Sequence, residues 1–303
     1  MKIAFLIIIA FALAFSAPYQ ADEFLLPGWA VSAGMGGMRI VGNWEGLSAS
    51  ANPALLADRE DLSIAVSGGS YFESLVSTAR AGFVFGKPDI KYGAALSYVG
   101  GDDIWLTTLQ NSEEPLSADN RPIAIREASH YTTALDVAGA KKWRKISVGL
   151  SAKAVVKKIP DVRAFGFSLS AGTIWRPIQR LDVGLFAENI STYQLFWNDG
   201  VNETGLPKCG VGVAYGIPVS SAIVLGAAAE TDYSLDEGFG IIRAGAKGTY
   251  ADMLTFAVGT AGGTLCSGAS LKFKNFLLGA NLDYRSALGT SYSFSLGWTP
   301  HAR

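Results

Sequence analysis

Residues 145–157 read Lys-Ile-Ser-Val-Gly-Leu-Ser-Ala-Lys-Ala-Val-Val-Lys. One alternate set is Ile146, Val148, Leu150, Ala152, Ala154 and Val156; the other is Ser147, Gly149, Ser151, Lys153, Val155 and Lys157. A period of two puts successive side chains on opposite faces of a β-strand. The make-up of the second face decides what kind of strand this is. A strand of a soluble sandwich buries its apolar face and gives water a face rich in Lys and Glu. Here the polar face is Ser and Gly with a rare charge. Small polar residues suit a crowded barrel interior, and the apolar face then suits lipid.

The same pattern recurs from residue 62 to the C-terminus. Phe165, Phe167, Leu169, Ala171, Thr173 and Trp175 oppose Gly166, Ser168, Ser170 and Gly172. Phe276, Leu278, Ala280, Leu282 and Tyr284 oppose Asn281 and Asp283, and Tyr292, Phe294, Leu296 and Trp298 oppose Ser291, Ser293, Ser295 and Gly297. About fourteen strands follow: 61–72, 74–86, 90–99, 128–142, 145–158, 163–176, 180–192, 208–217, 220–233, 238–251, 253–262, 264–274, 276–285 and 290–299. The fold class expected is all-β and transmembrane, a single antiparallel outer-membrane barrel with an N-terminal plug inside its lumen. Aromatics near strand ends (Tyr71, Phe72, Tyr98, Trp105, Tyr131, Trp143, Trp175, Tyr250 and Trp298) read as interfacial girdles.

The connections test this independently. With the first strand running outward, the inner turns at 86–89, 143–144, 176–179, 217–219, 251–252 and 274–275 are all short. The two longest connections, 100–127 and 191–207, both fall on the outer side, as such barrels require. The inner turns gather Lys and Arg and the outer loops gather Asp and Glu.

Composition agrees. Of 303 residues, 17% are charged, against about 25% in a typical soluble domain. A pI near 6.2 lacks the basic face that nucleic-acid binding requires. Lys2, the apolar run 3–14 and the small residues after it read as a secretory signal peptide over 1–17, with cleavage between 14 and 21. The mature chain then divides into an N-terminal plug segment, 18–60, and the barrel, 61–303. An uncharged run at 211–229 is long enough for a membrane helix. Pro218 in its middle and alternation on both sides read instead as two strands and a turn. Cys209 and Cys266 are read as isolated small apolar residues.

The stretch 28–56 has no period of its own. It is rich in Gly, Ala and Ser, includes Gly34, Gly36 and Gly37, and ends in Asn52-Pro53-Ala54. Gly34-Met35-Gly36-Gly37 has no strand before it and no acidic partner after it, so it is not read as a phosphate loop. It reads as backbone packed tightly inside the wall.

Catalytic signals are poor. His130 opens a strand and His301 lies in the tail, so no triad or metal cluster is legible; no catalytic residue, metal or cofactor is expected. An outer-membrane lipid hydrolase using His130 is the remotest reading, because no nucleophile motif accompanies it. Inward parity selects ten charged residues: Asp136, Lys153, Asp182, Glu188, Glu230, Arg243, Lys247, Lys272, Asp283 and Arg285. Either they pair across the interior, stiffening the wall and holding a plug, or they line a solute path. Their near balance of sign favours pairing.

Four places resemble the FadL-like outer-membrane barrels, and more closely their PorV/PorQ branch. They are Ala33-Gly34-Met35-Gly36-Gly37 with Asn52-Pro53-Ala54-Leu55-Leu56; Val148 to Lys153 before Ala164-Phe165-Gly166; Asp182 to Leu185 with Glu188-Asn189-Ile190, Leu206-Pro207 and Gly210 to Tyr215; and Asp283-Tyr284 with Leu288-Gly289. The resemblance runs through the mature chain. It implies a fourteen-stranded barrel with an N-terminal hatch containing the Asn-Pro-Ala turn. FadL relatives carry hydrophobic molecules, and the PorV/PorQ branch is associated with type IX secretion and surface attachment. The chain departs from the pattern in continuing past Trp298 to Arg303 and in its modest outer loops.

The leading expectation is therefore a PorV/PorQ-like protein of the bacterial outer membrane acting in secretion or surface attachment. The alternative is a FadL-like transporter of hydrophobic small molecules. Expected partners are outer-membrane lipid, a secreted or surface protein, or a hydrophobic molecule in the barrel.

Overall fold

The computed structural model describes residues 24, 26–42, 44–60, 62–235 and 238–300; the signal-peptide stretch 1–17, its cleavage window and His301 lie outside them. Seventeen strands follow in chain order. The first seven are β1 (Leu62–Tyr71), β2 (Val76–Lys87), β3 (Ile90–Leu109), β4 (Pro122–Trp143), β5 (Ile146–Ile159), β6 (Val162–Trp175) and β7 (Leu181–Glu188). Then come β8 (Tyr193–Trp197), β9 (Asn202–Gly205), β10 (Lys208–Pro218), β11 (Ile223–Ser234) and β12 (Gly238–Phe239). The last five are β13 (Arg243–Tyr250), β14 (Leu254–Ala261), β15 (Thr264–Phe273), β16 (Phe276–Arg285) and β17 (Gly289–Trp298). All pair antiparallel, and β1 bonds to both β2 and β17, so the sheet closes on itself. With β8, β9 and β12 set aside as short, fourteen strands make the wall. The run 211–229 is the hairpin of β10 and β11 about Pro218.

Exposure along the wall is the reverse of a soluble protein's. On β5, Leu150 is 62% exposed while Ser147 is fully buried. Phe165, Phe167 and Leu169 point out along β6 while Ser168 and Ser170 are buried within. A continuous apolar exterior around a closed sheet is stable only in lipid, where closure leaves no unpaired edge.

Three expected strand limits change. β3 and β4 run on past the expected loop at 100–127 and stay paired to Leu109 and Pro122, leaving only 110–121 as loop. The alternation of Ile123 and Ile125 carries the outward extension. The expected loop 191–207 contains the hairpin of β8 and β9. There β7 stops at Glu188, Asn189 and Thr192 take positive φ, and β8 resumes the ladder along the outer part of β6. The expected strand 238–251 splits into β12 and β13, because Gly240 donates back to the Asp232 carbonyl at 2.9 Å. Among the girdle aromatics, Tyr71 is misassigned. It points inward, is buried, and donates from its hydroxyl to Pro27 O at 3.0 Å. Trp143, Trp175 and Tyr250 do face out near the inner rim.

The core lies inside the barrel. Trp29, Met38, Trp44, Leu47 and Leu55 of the N-terminal segment pack against Ala65, Ile174 and Ala257 of the wall. This segment holds a short helix, α1 (Ala30–Gly34), and two 3-10 turns, Glu45–Ser50 and Pro53–Asp58. Helix α1 lies on β15 and β16, and the two turns lie on β1 to β6. Too short to hold itself, the segment is ordered by the wall.

Candidate functional site

The lumen is the candidate site, and its centre is the contact between residues 39–41 and the wall. The Glu230 carboxylate on β11 accepts three consecutive backbone N–H bonds, from Arg39 at 2.8 Å and from Ile40 and Val41 at 2.7 Å each. A carboxylate meeting successive N–H groups is a strong, charge-assisted contact. The Arg39 guanidinium reaches Glu188 on β7 through two nitrogens at 3.2 Å each, and Lys153 on β5 meets the same carboxylate at 3.3 Å. Burial alone would lower the Arg39 pKa, but Glu188, Asp232 and Glu230 outweigh it and hold the group above the ordinary arginine value.

Asn52 forms the second anchor. Its Nδ2 donates to Ile40 O at 3.0 Å and to Leu185 O at 3.3 Å, and its Oδ1 accepts from Ala54 N at 3.0 Å. Asn52 thus caps the turn that Pro53 opens, which is the ordinary role of an Asn-Pro pair at a helix start. The wall makes room for it. A Cβ at Gly172 would overlap Asn52 Oδ1, and one at Gly149 would overlap the Pro53 carbonyl carbon. A Cβ at Gly34 of α1 would likewise overlap the backbone of Gly268 on β15. Gly36 and Gly37 have φ of 91° and 75°, a left-handed turn that leads from α1 into residues 38–41.

The ten inward charges fall into four groups. Asp136, Lys153 and Glu188 are buried together at mid-wall, beside Arg39 and Arg80. Glu230 grips the segment backbone, and Arg243 pairs with Asp232 at 2.7 Å. At the inner end, Asp182 meets Arg176 at 3.0 Å and lines a cavity of about 260 Å³ with Lys247, Met35 and Met38, while Lys272 is exposed at the rim. Asp283 is buried and Arg285 exposed near the outer mouth. Of the ten, Lys153 and Glu188 make a direct wall-to-wall pair; Glu230 instead meets the segment, because it projects at the height where residues 39–41 cross.

Several residues that matter here were not selected from the sequence. Arg80 donates to Pro27 O at 2.8 Å and Leu26 O at 2.7 Å, and Asp58 pairs with Arg176 and with Lys142. The alternation of β2 puts Arg80 on the same inward face, so the rule that found Lys153 reaches it too. Arg39 carries no such signal, because its segment has no period. Cys209 and Cys266 are both free thiols, and among the described residues no group of three or more His, Cys, Asp or Glu is placed to hold a metal.

On the lipid face of β14 to β17 and β1, opposite α1, lies an apolar groove of about 610 Å³ lined by Val66, Leu271, Leu278, Phe294 and Leu296.

Solved structures share this architecture. CymD, a monoaromatic hydrocarbon channel, superposes with a TM-score of 0.65 at 13% identity, over 92% of this chain and 99% of CymD. The fold is that of the FadL-like outer-membrane channels. The toluene transporter TodX of P. putida matches at TM-score 0.62 and 13% identity, over 92% of this chain and 100% of TodX. The toluene transporter TbuX of Ralstonia pickettii matches at 0.60 and 14%, over 91% and 99%. No protein-family model and no curated protein sequence matches the chain. The apolar exterior of this barrel and the fold it shares with these channels make it a protein of the bacterial outer membrane.

Proposed function

We propose that this barrel moves hydrophobic small molecules across the outer membrane, with residues 26–60 as a plug that limits passage. The observation that carries the reading is the full-length likeness in fold to channels named for monoaromatic hydrocarbons and toluene. The lumen supports it. The segment occupies the bore, anchored through Glu230, Glu188, Arg80 and the Asn52 turn, and cavities remain on its inner and outer sides. In this role Gly34, Gly36, Gly37, Asn52, Pro53 and Ala54 shape the plug, and the lumenal charges hold it.

Flux of toluene into liposomes bearing the purified barrel, against empty liposomes, tests the reading. Equal flux in the two sinks it. The PorV/PorQ reading of secretion or surface attachment rests on sequence motifs alone and stands second, because the solved structures of like fold are channels and transporters. Co-purification of a large surface protein, with no toluene flux, would reverse the order.

A further inference from the structure

Basic side chains gather on one side of the inner rim, and two of them face lipid rather than the lumen. The inner ends of β2 to β5 and their turns carry Lys87, Lys141, Lys142, Arg144 and Lys145 against one exposed acid, Asp89. On the far side of the barrel, the turns at 219–222, 251–253 and 274–275 hold only Asp252 and Lys274. Lys142 is engaged by Asp58, and the Lys145 ammonium donates to Pro177 O at 2.7 Å. Lys87, Lys141 and Arg144 are exposed, and among the described residues their side chains make no hydrogen bond or ion pair. Register fixes where the two lysines stand. Lys87 pairs with Ile90 and Ile90 with Lys141, so both lysines flank Ile90 on the lipid face. Two strand spacings separate them, about 10 Å. Phe85 and Tyr92 lie on the same face toward the bilayer, and Trp143, 75% exposed, lies two residues beyond Lys141.

We infer that this collar holds the headgroup of an anionic phospholipid in the leaflet at the inner rim. Lys87 and Lys141 meet its phosphate from either side, and Phe85, Ile90 and Tyr92 lie along the start of its acyl chains. Cations without partners at the polar edge of a lipid-facing aromatic belt draw anionic headgroups to that place. Compact ammonium groups on flexible four-carbon stems can close on one phosphate from this spacing. An acidic protein fits less well, because both lysines stand on the side of the wall among exposed apolar side chains rather than on its underside. The inference rests on the barrel's place in the outer membrane and not on what it transports.

The test is native mass spectrometry of the purified full-length barrel in neutral detergent, titrated with phosphatidylglycerol and, separately, with zwitterionic phosphatidylcholine of the same chains. One phosphatidylglycerol should be retained, about tenfold or more tightly than phosphatidylcholine. Lys87→Gln and Lys141→Gln should each weaken phosphatidylglycerol about fivefold, the scale of one cation at an anionic lipid surface. The double variant should hold the two lipids alike. Lys274→Gln, on the far side of the rim, should leave the preference unchanged. Heat-modifiable migration confirms that each variant is folded. Equal retention of the two lipids by the unaltered protein overturns the inference, as does an undiminished preference in the double variant. An equal loss in Lys274→Gln also overturns it, since attraction to net charge would then explain the binding without a site. Binding of a polyglutamate peptide with no preference between the lipids would assign the collar to an acidic protein instead.

Discussion

Asn52 and Gly172 meet with no room for a methyl group between them: the Asn52 Oδ1 atom lies where a Cβ at position 172 would stand. One side chain of the N-terminal segment is thus keyed to a missing side chain in β6. The same amide group joins Ile40 O to Leu185 O, so the key also fixes the segment to β7.

Gly172→Ala should drive Asn52 out of its seat. Overpacking of this kind costs about 1–3 kcal/mol, and the loosened segment should raise ion conductance in planar bilayers. Asn52→Ala should show the same rise by removing the other half of the key. Gly139→Ala, whose methyl would meet the Tyr92 ring at an ordinary 3.5 Å, is the control. Conductance unchanged in both Gly172→Ala and Asn52→Ala would show that this contact does not restrain the segment.

Glu230→Ala should leave the N–H groups of residues 39–41, two of them buried and that of Val41 partly so, without an acceptor, at about 1–3 kcal/mol for each buried group left unsatisfied. Amide exchange at these positions should accelerate while the wall strands stay protected. Glu230→Gln keeps one carbonyl oxygen and should fall between wild type and Glu230→Ala. Uniform acceleration across the barrel would argue instead for global destabilisation.

The buried cluster of Arg39, Lys153 and Glu188 predicts an order of severity. Removing one member of a buried ion pair costs about 3–5 kcal/mol, because the remaining charge is left uncompensated. Glu188→Gln strands two cations and should be the most harmful. Arg39→Met should follow, and Lys153→Met, which removes one 3.3 Å hydrogen bond to Glu188 where Arg39→Met removes two, should be mildest. The double variant Arg39→Met with Glu188→Gln should cost less than the sum of its parts. Denaturant midpoints of the refolded barrel in vesicles give the comparison.

Leu150→Arg separates lipid from water as the outer solvent. Leu150 is 62% exposed on β5. In water an exposed arginine there would be nearly neutral, whereas toward the bilayer midplane it costs about 2–4 kcal/mol. A measurable loss of vesicle stability is expected. Stability equal to wild type would place that face outside the membrane.

Alternation was enough to identify the barrel. Because the two faces of a strand meet different surroundings, Ser147 and Leu150 carry their environments in their own chemistry, and a period of two needs no knowledge of neighbours. Turn residues such as Pro218 marked the hairpins for the same local reason. Strand ends at the outer rim were less legible. Whether residues 100–109 join a ladder depends on a partner strand some twenty residues away, and whether β8 pairs with β6 depends on β7 stopping early.

The site was legible only on the wall side. Sequence determined that Lys153, Glu188, Glu230 and Asp283 face inward, because parity follows from the strand itself. It could not select Arg39 or match Asn52 to Gly172, since residues 26–60 have no periodicity and take their shape from the surface around them. Only the tertiary structure decided that Glu230 grips the backbone of residues 39–41 and that Arg39 joins Lys153 at Glu188. Those relations join positions far apart in the chain, and the closed barrel brings them within bonding distance.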